Sequence, residues 1–413
     1  MGIIVQKYGG TSVGSIERIQ KVAERVAETK AAGHQCVIVV SAMGKQTDEL
    51  VNLANQVTSD PNPREMDMLL ATGEQVSISL LTMALQEIGC SARSFTGWQA
   101  GIRTDENHGK ALVEHVDTDL IRKCLDEDQV VVVAGFQGVT ETGEITTLGR
   151  GGSDTSAVVL AAALQAEVCE IYTDVTGVFT ADPRVVPKAQ KMDEISYEEM
   201  LELAHLGASV LHPRSVECAM IHRVPLVVRS SFNNEPGTWL KEAEQMEETL
   251  TARGVAHDLH VARIKVLQLP NDGKSHTRLF NILAEHQINV DMIVQSEHDR
   301  EKIDVAFSVN ESEGKEAKSV LELAKEELGY ERILYESNLG KVSLVGVGMM
   351  TRPGVAAKMF QTLSDNGIRI KMVSTSEIKI SCLVEQDHAV KAAQLLHTAF
   401  DLDTKKEEVS ITT

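Results

Sequence analysis

The chain has 413 residues, of which 40 are Lys or Arg and 60 are Asp or Glu, giving a formal net charge of −20. With 43% apolar and 24% charged residues it has the composition of a globular protein, long enough for two or three domains with their own cores. Nucleic acid and membrane are not expected partners, because both select clustered Lys and Arg and this acidic chain has no basic run.

The six cysteines (Cys36, Cys90, Cys124, Cys169, Cys218, Cys382) are scattered, with no CxxC pair, and most sit in apolar stretches. That distribution fits free thiols in a reducing compartment better than a disulfide framework. The N-terminus lacks the charged and apolar regions of a signal peptide. No apolar run approaches the ~18 residues of a membrane span, so a cytoplasmic protein is expected.

Hydrophobic periodicity predicts a strand at 3–5, a helix over 15–32, a buried strand at 37–40 and a helix over 64–89. Further strands follow at 130–134, 169–172 and 226–228, with a helix over 153–164. Strands alternating with helices predict an α/β fold, a mostly parallel sheet sandwiched by helices, with ligands bound at the turns after the strands. Residues 241–258 read as an acidic linker. Beyond it lies a repeat at an offset of 80 residues: Phe280 matches Phe360, Leu283 matches Leu363, Ile288 matches Ile368 and Met292 matches Met372. Each copy predicts a βαββαβ module too small to cover its sheet alone, so the modules should pair with each other or across a dimer. The expected domains are therefore 1–240, 259–335 and 336–413.

Three motifs carry chemistry. Lys7-Tyr8-Gly9-Gly10-Thr11-Ser12 stands between a strand and a helix. Its glycine N–H groups and lysine suit an anion, and Thr11-Ser12 could cap the helix. The bland alternative is a tight turn with a surface lysine. Gly149-Arg150-Gly151-Gly152-Ser153-Asp154 opens a helix. It is no Rossmann fingerprint, since Asp154 stands where the last glycine belongs, and no Walker A loop, since no GK[ST] follows. It offers an arginine for a carboxylate or phosphate, or simply an N-cap loop. Thr173-Asp174 and Phe179 to Arg184 form a polar loop that could meet a nucleotide. Ser41, Thr47 and Glu74 are weaker candidates, and the thirteen histidines form no metal-binding pattern.

Together with Glu65-Met66-Asp67-Met68-Leu69-Leu70-Ala71-Thr72-Gly73-Glu74, these segments resemble the aspartokinases, most closely those of the lysine pathway in Bacillus and related bacteria. The resemblance spans nearly the whole chain. It implies an amino-acid kinase fold with two C-terminal ACT modules, and transfer of the γ-phosphoryl group of ATP, with Mg²⁺, to the β-carboxylate of L-aspartate. It assigns Lys7, Gly9 and Gly10 to the phosphoryl group, with Asp154 holding Lys7. Tyr8, Thr173, Asp174, Phe179, Asp182, Arg184, Ser209 and Val210 fall to ATP.

By the same resemblance, Arg150 takes the α-carboxylate and Glu74 the ammonium of aspartate, with Ser41 and Thr47 on its β-carboxylate. Gly151, Gly152 and Ser153 line the same site. Ser209 stands where relatives often carry a phosphate-binding lysine, so Ser209→Lys is expected to lower the KM for ATP. Feedback by lysine, alone or with threonine, is expected at two places. The first copy would contribute Asn271, Ser275, Asn289, Val290, Asp291 and Gln295. The second would contribute Val355, Ala356, Arg369, Ile370 and Ser376. A homo-oligomer is expected, or a hetero-oligomer with a shorter product starting near Met246. Two other readings stay open on the residues alone: a kinase for a related amino acid such as glutamate, and a non-catalytic amino-acid sensor.

Overall fold

The computed structural model describes residues 2–207, 210–243, 251–297, 301–349 and 352–404, which separate into two units. Ser209 and Met246 lie outside the described residues. The first unit comprises Met1–Val178, Lys191–His205 and Ser209–Glu247; the second comprises Phe179–Gln190, Leu206–Ala208 and Glu248–Thr413. The segment Phe179–Gln190 thus packs with the C-terminal unit, although the expected catalytic domain ran unbroken from 1 to 240.

The first unit runs β1 (Ile3–Tyr8), α1 (Ile16–Ala31), β2 (Gln35–Val40), α2 (Gln46–Val57), α3 (Pro63–Leu70), α4 (Thr72–Glu87), β3 (Ala92–Phe95), β4 (Ile102–Thr104), β5 (Val113–Val116) and α5 (Asp119–Asp126). It continues with β6 (Val130–Ala134), β7 (Gln137–Val139), β8 (Ile145–Thr147), α6 (Gly152–Leu164), β9 (Val168–Thr173), β10 (Glu194–Ser196), α7 (Tyr197–His205), α8 (Pro213–His222), β11 (Leu226–Ser230) and β12 (Thr238–Lys241).

Its main sheet has the order β10-β12-β11-β9-β1-β2-β6-β3, parallel throughout except where β11 meets β12. β6 reads Val-Val-Val-Val-Ala with every residue buried, as a strand covered on both faces must. On one face Ile19, Val22 and Val26 of α1 pack with Ile78, Leu81 and Leu85 of α4 over Tyr8, Ile38 and Val132. Leu81 is 0% exposed, so its truncation to Ala would cost about 3 kcal/mol. α6 is apolar on most sides and packs against β1, β2 and β9.

Two features depart from expectation. The helix predicted over 64–89 is broken at Ala71, whose carbonyl accepts from Gln137 Nε2 at 3.0 Å, a side chain inserted at the joint of α3 and α4. The stretch Pro63–Glu87 nevertheless has the length and apolar character of a membrane span. Its inward residues lie in the core under α1, which accounts for that character. A second sheet, β5-β4-β7-β8, is built of strands of three or four residues, too short for periodicity to reveal.

The second unit contains β13 (Gly254–Pro270), α9 (Ser275–Glu285), β14 (Ile293–Glu297), β15 (Lys302–Asn310), α10 (Glu311–Leu323), α11 (Lys325–Leu328), β16 (Arg332–Val345), α12 (Val355–Asp365), β17 (Met372–Thr375), β18 (Lys379–Glu385) and α13 (Gln386–Ala399). Its strands form one antiparallel sheet, β14-β15-β13-β16-β18-β17. The repeat is visible in burial: residues 281–290 and 361–370 follow the same sequence of exposed, intermediate and buried positions. The two copies share one sheet because β13 and β16 each run through both. Gly254 to Asp258 pair with Val345 to Lys341, so part of the expected linker 241–258 is strand.

Candidate active site

The turns after β1 and β2 are tied together. Gly44 N–H donates to Gly10 O at 3.0 Å and Ser41 N–H to Tyr8 O at 3.1 Å. The start of α4 closes on the same place. Gly73 approaches so nearly that an added Cβ would stand 2.9 Å from Ala42 Cβ, and Glu74 Oε1 accepts from Ala42 N–H at 3.1 Å. Glu74 is 3% exposed, and its second oxygen, Oε2, is buried without a hydrogen-bond partner. Burial pushes this carboxyl up to about 7, against the partial relief of the backbone N–H groups of Glu74 itself and of Ala42.

From β1, Lys7 Nζ forms an ion pair with Asp154 Oδ1 at 2.6 Å, with both side chains almost out of solvent. Asp154 lies in the first turn of α6, where the helix dipole favours an acidic residue. Parallel pairing of β1 with β9 and β2 sets the lysine at this edge.

Arg150 sits on the exposed loop between β8 and α6. Among the described residues its guanidinium has no hydrogen-bond or ion-pair partner. The residue after it must be glycine: Gly151 has φ +70° and a Cβ there would stand 2.2 Å from the His212 side chain. Gly151 is also the N-cap of α6, and among the described residues no side chain caps that helix, so Ser153 and Asp154 are not its caps.

Other expected residues are placed as follows. The Tyr8 side chain is 0% exposed and stacks on Tyr172 at 4.7 Å, so only its backbone borders the turn. Gly9 N–H is already engaged with Tyr172 O at 3.3 Å, which leaves Gly10 N–H as the glycine donor of the turn. Thr11 and Ser12 do not cap α1. Ser15 Oγ does, accepting from Arg18 N–H, because the turn first wraps on itself through Ser12 and Val13 N–H to Gly9 O. Thr47 lies in the first turn of α2 and Ser41 just after β2.

Thr173 ends β9, and its hydroxyl donates to Asp174 Oδ1 at 3.1 Å. Phe179, Asp182 and Arg184 belong to the second unit. There Arg184 forks onto Asp182 at 2.8 and 3.0 Å and holds its carboxyl below the usual range. Val210 is half-buried.

In the second unit, Ser275 is buried and opens α9, its hydroxyl on Asp272 Oδ1 at 2.8 Å. Asn271, Asn289 and Asp291 are exposed, and Asp291 pairs with Lys341 at 2.5 Å. Gln295 Oε1 meets His276 Nε2 at 2.7 Å. Val355 is buried, while Ala356, Ile370 and Val290 are half-buried beside the module cores. Arg369 and Ser376 are exposed.

Sequence reasoning passed over Arg214, at the start of α8. Its guanidinium donates to Leu148 O at 2.5 Å and Ala111 O at 3.0 Å and so holds the Arg150 loop. The available signal was His212-Pro213-Arg214, an N-cap and a helix-starting proline that aim the arginine back at its surroundings. The cysteines are free, and burial raises the thiols of Cys36 and Cys382 to about 12. Among the described residues no group of three or more His, Cys, Asp or Glu side chains could hold a metal ion.

Comparison with known proteins identifies the family. Residues 2–230 match the amino acid kinase family and residues 342–400 an ACT domain. An aspartokinase of Geobacillus stearothermophilus is 58% identical over 97% of this chain and 98% of its own. E. coli aspartokinase III in complex with aspartate and ADP has a TM-score of 0.80 at 28% identity, covering 97% of this chain and 100% of that one. The same enzyme with lysine and aspartate has a TM-score of 0.75 at 28% identity, over 96% and 99% of the two chains. The family match over residues 2–230, the ACT match and full-length relatives of one activity, on a parallel sheet edged by glycine turns, lead to one assignment: the chain belongs to the amino acid kinase family and is an aspartokinase with a C-terminal ACT domain.

Proposed function

We propose that this aspartate kinase holds L-aspartate between Glu74 and Arg150 and presents it to ATP at the turn from Lys7 to Gly10. The observation that carries the reading is Glu74 Oε2, a carboxylate oxygen buried without a partner. A buried carboxyl that is costly to ionise alone and keeps an open acceptor is a receptor for an ammonium group, whose charge favours the ionised form. Arg150, exposed and without a partner among the described residues, suits bidentate contact with the α-carboxylate. Ser41 and Thr47 then face the β-carboxylate, with Gly151, Gly152 and Ser153 at the helix start.

An ionised β-carboxylate oxygen attacks the γ-phosphorus, the bond from that phosphorus to the β–γ bridging oxygen breaks, and ADP leaves 4-phospho-L-aspartate. No proton is moved, so no general base is needed, and catalysis rests on positioning and charge. Lys7 supplies positive charge to the phosphoryl oxygens and Asp154 holds it in place. Thr173, Asp174, Phe179, Asp182, Arg184, Ser209 and Val210 are assigned to the nucleotide. Mg²⁺ would come with ATP and would add positive charge at its phosphates.

The solved E. coli complexes with aspartate and ADP, and with lysine and aspartate, support the same ligands here. We assign the ACT unit to feedback by lysine, alone or with threonine, in a cytoplasmic enzyme. Its assembly is with further copies of the chain or with a shorter product from Met246. The test is ATP-dependent aspartyl hydroxamate formation by the wild type and Lys7→Ala, with lysine and threonine added singly and together. Loss of product in folded Lys7→Ala and suppression by lysine support the reading. Full activity in Lys7→Ala, or indifference to both amino acids, refutes the corresponding half.

A further inference from the structure

Among the described residues the Arg150 side chain has no partner, and it stands between Gly149 and Gly151, both with left-handed backbones. Its orientation must come from neighbours. We propose that Asp67 is a positioning residue for aspartate binding, locking the end of β8 so that Arg150 meets the substrate's α-carboxylate squarely. This rests on the reading of Arg150 given above.

Asp67 is 0% exposed, on the inward face of α3. Its Oδ1 accepts from Thr147 Oγ1 at 2.5 Å, and both oxygens accept from Gly109 N–H at 3.1 and 3.0 Å. Oδ2 faces His108 Nδ1 at 2.8 Å. Thr147 is the last residue of β8, three before Arg150, and its carbonyl accepts from Ala111 N–H at 3.0 Å. Arg214 fastens the next residue, Leu148, and the same Ala111 from the other side. One buried carboxylate therefore ties the turn at 108–109 to the strand that delivers Arg150.

Burying an anion that no Lys or Arg among the described residues meets is unfavourable, and an apolar residue like neighbouring Met66 or Leu69 would fill the space at lower cost. What the carboxylate adds is direction. Three donors from two chain segments converge on it, and they are satisfied together only in one arrangement. A fork–fork contact with a carboxylate is sensitive to such an arrangement, because a displacement of about 1 Å far from the chemistry can cost about 100-fold in rate.

The test is steady-state kinetics of the full-length enzyme, varying aspartate and ATP separately. Thr147→Val removes the hydroxyl donor at nearly constant volume, Thr147→Ser keeps it, and Asp67→Asn removes the charge. Thr147→Val and Asp67→Asn are expected to raise the KM for aspartate about tenfold or more and that for ATP less than about twofold, with Thr147→Ser close to wild type. Folded Thr147→Val with an unchanged aspartate KM overturns the proposal, as does an equal rise in both constants. If Asp67→Asn does not fold, the two Thr147 variants decide. Arg150→Ala is measured alongside. A raised aspartate KM there, without one in Thr147→Val, refutes the positioning role alone; an unchanged KM in Arg150→Ala refutes the Arg150 reading and the proposal with it.

Discussion

Replacing Glu74 by Gln separates what the buried carboxylate costs the fold from what it contributes to the substrate. Gln keeps an oxygen to accept from Ala42 N–H, at 3.1 Å in the wild type, and differs chiefly in carrying no charge. Burial raises the Glu74 carboxyl from its ordinary 4.5 to about 7. At about 1.36 kcal/mol per pH unit, that corresponds to roughly 3 kcal/mol lost when the group ionises in the empty site. Because the folded-state value is raised, folded protein binds the proton more tightly than unfolded chain between pH 4.5 and 7. The Glu74 contribution to wild-type stability therefore falls as pH rises through that window and levels off above it.

Glu74→Gln escapes this loss. Without aspartate, its catalytic unit should match wild type near pH 4.5 and exceed it by about 3 kcal/mol at pH 8. On the proposed reading the same change removes the partner of the substrate ammonium, a charge-assisted bond worth about 2–3 kcal/mol, so the KM for aspartate should rise by about 30- to 150-fold. Denaturation across pH 4.5–8 without ligand, paired with aspartate kinetics, reads both effects. A variant less stable than wild type at pH 8, or an unchanged aspartate KM, refutes the reasoning.

Other perturbations have defined outcomes. Lys7→Met strands Asp154, 13% exposed in its side chain, and should lower stability by about 3 kcal/mol while abolishing turnover, as urea denaturation and hydroxamate assay would show. Gly151→Ala places a Cβ against His212 at φ +70°; it should destabilise by more than about 2 kcal/mol and raise the aspartate KM, read by melting and kinetics. His397→Ala affects the second unit. The ring is 0% exposed, between Thr180 Oγ1 at 2.8 Å and Asp403 Oδ1 at 2.7 Å, so thermal melting should show a loss of about 2–3 kcal/mol.

The parallel sheet was legible because strands buried on both faces become uninterrupted apolar runs, as in Val37 to Val40 and Val130 to Ala134. The ACT repeat was legible because the same positions of each copy face the same kind of core. Where side chains decide locally through distant partners, the reading failed. Tyr8 looks like part of a phosphate turn until Tyr172, far along the chain, covers it. Asp67 reads as one more polar residue on a helix until the loop at 108–109 and Thr147 reach it. The strand Gly254 to Asp258 was hidden in an acidic stretch because its partner lies in β16. Nor does anything local in Phe179–Gln190 reveal that Ala181 and Val186 are core residues of the second unit.

The most direct measurement is ATP-dependent hydroxamate formation from L-aspartate beside L-glutamate and succinate. Succinate retains both carboxylates of aspartate but has no ammonium for Glu74, and glutamate carries its distal carboxylate one methylene further out. The account predicts product from aspartate, with succinate and glutamate far behind. Equal turnover of succinate would contradict the role of Glu74, and no product from aspartate with folded protein, ATP and Mg²⁺ present would contradict the account as a whole.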